Sequence, residues 1–161
     1  MTTLYKTIGI LLVLGTSSVA QGQPEWEFSE RTDPFDDIVS YDAIKLADNY
    51  VGGIFFGCEA GGPLASGIFW GKDITSGDVK ETEVQIRVGD NPAFNMILSV
   101  TNNSASGTED GGREILEELL TQSGSSTGMI ARTTGDLGSA FVEIDLIGLE
   151  LVAAQLDQYC S

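Results

Sequence analysis

The chain has 161 residues, with 8 lysines and arginines against 24 aspartates and glutamates, no histidine, two cysteines and a net charge of −16. The missing histidine excludes Ser-His-Asp and Cys-His catalysis and histidine zinc sites. The acidity argues against nucleic acid and anionic membrane surfaces as partners, because like charges repel.

The first residues read as an export signal. Lys6 is the only charge before Glu25, an apolar run covers Ile8 to Gly15, and Ser18-Val19-Ala20 has the small-x-small form of a signal-peptidase site. The stretch from Ile8 to Ala20 is shorter than the roughly 20 residues that cross a bilayer. Cleavage is expected after Ala20, with Gly22 as the alternative, so residues 1–20 form a signal peptide. No later segment is long and apolar enough to span, and no membrane insertion is expected after cleavage. The basic count then falls from 8 to 7 against 24 acids, a net charge of −17. About 140 residues remain, enough for one domain with its own core. The expected location is periplasmic or secreted.

Residues 21–37 are polar and acidic, punctuated by Pro24 and Pro34, and read as an extended arm. Trp26, Phe28 and Phe35 are expected to pin this arm to the body. Residues 38–161 read as a single domain. Ile38 to Ile44 is its first strand. Val51–Cys58 and Pro63–Trp70 form a hairpin around Glu59-Ala60-Gly61-Gly62. In Glu83–Val88, Val84, Ile86 and Val88 share one face while Glu83, Gln85 and Arg87 take the other. Gly89-Asp90-Asn91-Pro92 turns this strand into the next, where Phe94, Met96, Leu98 and Val100 share a face.

Arg113–Gln122 follows with Ile115, Leu116, Leu119 and Leu120 at helical spacing. Met129–Arg132 is a short strand, and 133–139 a turn. Phe141–Ile147 is a strand with Val142, Ile144 and Leu146 inward and Glu143 and Asp145 outward. Gly148 begins a final helix whose buried stripe runs through Leu149, Val152, Ala153, Leu156 and Cys160. The fold class is α+β: a mostly antiparallel curled sheet or sandwich with two covering helices.

Cys58 and Cys160 are the only cysteines, and in an oxidising compartment they are expected to pair. Such a bond closes a loop of about 100 residues and contributes roughly 4.7 kcal/mol in the chain-entropy account. They form no Cys-x-x-Cys redox motif.

The chain has no Gly-x-Ser-x-Gly elbow, phosphate loop or dinucleotide fingerprint. Asp33, Asp36 and Asp37 supply oxygen ligands of the kind calcium takes, but without EF-hand spacing; turn formation is the competing role. No catalytic residue, metal site or cofactor is assigned. A surface rim around Trp70, Arg87 and Asp90 is the candidate for partner binding. A competing reading, placed ahead of it, puts Trp70 in the core and pairs Arg87 with acids on the sheet face.

Several segments carry a resemblance in order: Asp33-Pro34-Phe35-Asp36-Asp37, Phe56-Gly57-Cys58, Phe69-Trp70-Gly71, Val84–Asp90, Ile115–Leu120, Ile130-Ala131-Arg132, Ala140–Ile144, Leu146–Leu149 and Cys160. Across roughly residues 26–160 the chain resembles the VasI-like family of small exported accessory proteins associated with type VI secretion. The departures are Phe55-Phe56-Gly57 before the first cysteine, Phe94 where a tryptophan is expected, and a tail reduced to Ser161. The resemblance implies a two-cysteine scaffold and no established catalytic residues.

The leading expectation is a non-enzymatic exported accessory or binding protein of the bacterial cell envelope, whose partner is another protein or a cell-wall component. The alternatives are a secreted inhibitor or immunity-type protein that binds a basic partner, and a carboxylate-based polymer hydrolase.

Overall fold

The computed structural model describes residues 25–76, 80–107, 111–124 and 128–161. The export-signal reading falls on residues 1–24 and lies outside them. Nine strands form one antiparallel sheet in the order β1-β2-β3-β4-β7-β6-β5-β8-β9. They are β1 (Glu27–Thr32), β2 (Val39–Leu46), β3 (Gly52–Glu59), β4 (Ala65–Trp70), β5 (Lys80–Val88), β6 (Phe94–Thr101), β7 (Ser104–Ser106), β8 (Gly128–Gly135) and β9 (Gly138–Asp145). Helix α1 (Gly111–Ser123) enters between β7 and β8, and α2 (Leu149–Leu156) follows β9. The α+β class and the curled sheet are as expected from the alternation of apolar residues.

The sheet curls far enough that β9 packs against β3 and β4, with Val142 seated beside Gly52. Alternate residues of each strand fill the interior: Ile54 and Phe56, Ile68 and Trp70, Val84 and Ile86, Leu98 and Val100, Val142 and Ile144 are all buried. Helix α1 packs on β4 and β5, and touches α2, which lies on β2. Gly112 makes the α1 contact possible, because a Cβ there would run into the backbone of Leu64. On the outer side of β3–β4, Phe55 lies over its cross-strand partner Gly67 and Phe69 over Gly53. Each ring fills the space its glycine leaves.

The disulfide joins Cys58 on β3 to Cys160, just past α2, with Cα atoms 5.8 Å apart. Two backbone hydrogen bonds flank it: Gly61 N–H donates to the Tyr159 carbonyl at 2.6 Å, and Ser161 N–H to that of Gly62 at 2.8 Å. Tyr159 stacks on Tyr41 with centroids 4.0 Å apart, and Phe28 packs beside both rings. Such pairs add about 0.5–1.5 kcal/mol beyond the area they bury.

Three differences from the sequence reading have local causes. The acidic arm contains β1, whose Glu27–Thr32 pairs in register with Ile44–Val39 of β2. Trp26 and Phe28 pack on the core as expected, but Phe35 is 96% exposed at the tip of the β1–β2 turn and pins nothing. β8 and β9 extend to a two-residue turn at Asp136 and Leu137, through the stretch read as a longer turn.

Among the described residues no helix is long and apolar enough to cross a membrane. The disulfide is compatible with an extracytoplasmic protein.

Candidate functional site

The parity of β5 decides which side chains face solvent. Val84, Ile86 and Val88 point inward, so Glu83, Gln85 and Arg87 point out. Register carries the same parity sideways. Gln85 stands opposite Arg132, Arg87 opposite Ile130, Arg132 opposite Phe141, and Ile130 opposite Glu143. Arg87 and Arg132 are therefore diagonal neighbours on one face, with Cα atoms about 7–8 Å apart. Together with Gln85, Ala93, Ile130 and Phe141 they line a concavity of about 380 Å³.

Two features set this face apart. Phe141 is 73% exposed, a large aromatic on the wet side of a strand. The arginines are also unpaired. Elsewhere Arg31 meets Asp42, Lys45 meets Asp145 and Arg113 meets Asp157. The side chains of Arg87 and Arg132 make no ion pair or hydrogen bond among the described residues. In a chain with 24 acidic residues, two adjacent cations without a carboxylate partner stand out.

The rim expected around Trp70, Arg87 and Asp90 does not assemble. Trp70 is 1% exposed and belongs to the core. Asp90 is exposed in the β5–β6 turn, next to Asn91, which bonds the end of α1 through Gln122; it does not line the arginine concavity. Of the expected trio only Arg87 stands on this face. Arg132 and Phe141 are the partners that sequence reasoning missed. Phe141 was within reach, since its strand alternates Glu143 and Asp145 outward and position 141 shares their parity.

A second concavity, about 480 Å³, lies between β1 and α2, with Trp26, Phe28, Leu151 and Val152 on its walls. It also reaches Lys45, 3% exposed and 3.2 Å from Asp145. The other oxygen of Asp145 accepts the Ile147 N–H at 2.6 Å. This ion pair ties the end of β9 to β2, which suits a structural tie more than a ligand site.

No aspartate or glutamate is buried among the described residues. Asp33 Oδ1 accepts the Phe35 N–H at 2.8 Å and Asp36 Oδ1 the Ile38 N–H at 3.1 Å, so these carboxylates shape the β1–β2 turn. No group of three or more potential metal ligands is present among the described residues. Comparison with known protein families, with curated proteins and with solved structures returns no match for this chain.

Proposed function

We propose that this protein is a non-enzymatic binding module of the cell exterior, docking a partner protein on the open face of β5, β8 and β9. The observation that carries this reading is the meeting of Arg87, Arg132 and exposed Phe141 on one face. Arginine and aromatic side chains dominate the energetics of protein interfaces. Two unpaired guanidiniums select a partner that brings a carboxylate to them, and Phe141 offers the apolar anchor beside it. Type VI secretion, suggested by the resemblance, makes an envelope assembly component the first partner to try.

The test is capture from envelope extract by the oxidised protein lacking residues 1–20, with the captured protein identified by mass spectrometry. Retention should fall about tenfold or more in the Arg87→Ala/Arg132→Ala double variant and in Phe141→Ser. Folding should be unaffected, because exposed positions cost within about 0.5 kcal/mol. Retention that ignores all three substitutions would sink the proposed face. Turnover of a wall polymer that stops on a single Glu or Asp substitution would make the protein an enzyme instead.

A further inference from the structure

β9 is the last strand of the sheet, paired with β8 on one side only. The direction of its other backbone groups follows from the ladder. Gly89 N–H donates to the Gly128 carbonyl at 2.8 Å. Hydrogen bonding alternates along an antiparallel strand, so Gly128, Ile130, Arg132 and Thr134 bond toward β5. The residues between them bond toward β9, where they meet Gly138, Ala140, Val142 and Ile144. Ser139, Phe141 and Glu143 are left with N–H and C=O groups aimed at the open side, and among the described residues none of these backbone groups is bonded elsewhere.

That open side is a groove. Residues 139–143 form one wall of a concavity of about 450 Å³, and Asp48, Val51 and Lys72 stand on the other. Trp70 also lines it, and the Trp70 indole N–H is buried without a hydrogen-bond partner among the described residues. Edge strands are ordinarily guarded by lysine, proline, a bulge or brevity. β9 has eight residues, GSAFVEID, and an unbroken register with β8.

We infer that the free edge of β9 accepts an extended, basic-and-apolar peptide segment of a partner protein as an added strand within this groove. Unpaired donors and acceptors at alternate residues match an extended backbone and no compact ligand. The side-chain preference follows from charge. Asp48 and Glu143 face the groove against one cation, Lys72, and the rest of the chain adds a strongly negative field. Val51 is 52% exposed and Phe141 73%, so each offers contact to an apolar residue of the segment. A second copy of this chain is a poorer occupant. It carries the same negative charge, so the two copies repel. The inference stands on the backbone of β9, whereas the proposed docking face stands on side chains.

The probe is an acetylated, amidated heptapeptide of alternating lysine and valine, followed by fluorescence anisotropy and by amide exchange in the oxidised protein. In the free protein the amides of Ser139, Phe141 and Glu143 should exchange quickly and those of Ala140, Val142 and Ile144 slowly. Saturation with peptide should slow the first set about tenfold or more. N-methylation of alternate peptide residues should abolish binding in one phase and leave it in the other. The glutamate–valine counterpart should bind more weakly. Glu143→Pro removes one edge donor without touching the β8 ladder and should weaken binding several-fold beyond Glu143→Ala.

Absence of saturable binding up to about 1 mM overturns the inference. So does binding that leaves the three edge amides unchanged, or edge amides already protected in a dimer. The Arg87→Ala/Arg132→Ala variant should bind this peptide normally, so failure of the docking face and failure of strand addition give different results. The exchange pattern of the unsubstituted protein decides the matter even where Glu143→Pro does not fold.

Discussion

The two ends of the sheet are finished differently. β1 has six residues, EFSERT, three of them charged, and Arg31 is tied to Asp42 on β2. Its inner side is pinned by Trp26 against Phe56 and by Phe28 against Tyr41 and Tyr159, with the Cys58–Cys160 bond alongside. β9 carries no charge from Gly138 to Val142, exposes Phe141, and is fastened at its far end by Lys45 and Asp145. An edge blunted by charge resists pairing, and an edge uncharged over its first five residues and bearing an exposed aromatic ring is less guarded. The contrast places structural reinforcement at the β1 end and, on the proposed reading, interaction at the β9 end.

The largest expected effect is at the reinforced end. Cys160→Ala should cost roughly 4–5 kcal/mol, the chain-entropy value for so long a loop. Exchange should show residues 157–161 and β1 loosening before β5 and β6. Equal melting temperatures for the oxidised protein and the variant would show that the bond adds nothing to the hydrogen bonds at Gly61 and Ser161. Next comes the fastening of β9. Asp145→Ala leaves the buried Lys45 ammonium without its carboxylate, at a cost of about 3 kcal/mol. Denaturant unfolding measures it, and an added Lys45→Met should recover most of the loss. A loss below about 1 kcal/mol would mean that water reaches Lys45 through the neighbouring concavity.

The β5–β6 hairpin was legible because Glu83–Val88 alternates cleanly, Phe94, Met96, Leu98 and Val100 share a face with only Ile97 against the pattern, and the turn carries Gly89, Asp90 and Pro92. The disulfide was legible because only two cysteines exist. β1 was not, since an edge strand wet on one side and at its rim needs no clean alternation, and Glu27–Thr32 shows none. β7 has only three residues, too few for a period to register. β8 continues past Arg132 because Thr133 is buried with its hydroxyl bonded to the Glu83 carbonyl at 3.0 Å, a core position occupied by a polar side chain. The candidate face was half legible. The outward parity of Arg87 was local information. Its meeting with Arg132 depends on β5 pairing with β8 across an intervening hairpin arm and a helix, and nothing near either residue encodes that neighbour.

A matched pair of aromatic truncations sharpens the comparison at intermediate size. Trp26 sits half-buried beside Phe56, 6.1 Å between centroids, and against Gly148. Trp26→Ala should cost about 2 kcal/mol, less than the 3–5 kcal/mol of a fully buried ring. Phe141→Ala should stay within about 0.5 kcal/mol. Chemical denaturation of both variants decides between anchor and free surface. Equal costs would erase the distinction between the two ends.

The smallest effect is a titration at the β1 end. Tyr41 is half-buried, stacked on Tyr159 and directly opposite Glu30 of β1. Burial raises its phenol above the usual value near 10, with smaller contributions in the same direction from the Glu30 charge and from Tyr159. The folded state therefore holds this proton more tightly than the unfolded chain does. The associated stability is fully present below pH 10 and is lost as pH rises through the higher folded value. An ultraviolet titration should show one tyrosine ionising late, and Tyr41→Phe should remove that component. Glu30→Gln should bring it down only slightly, because burial outweighs the charge. A Tyr41 titration at the usual phenol value would mean that β1 and Tyr159 leave the phenol open to water, and that the reinforced end is looser than its packing indicates.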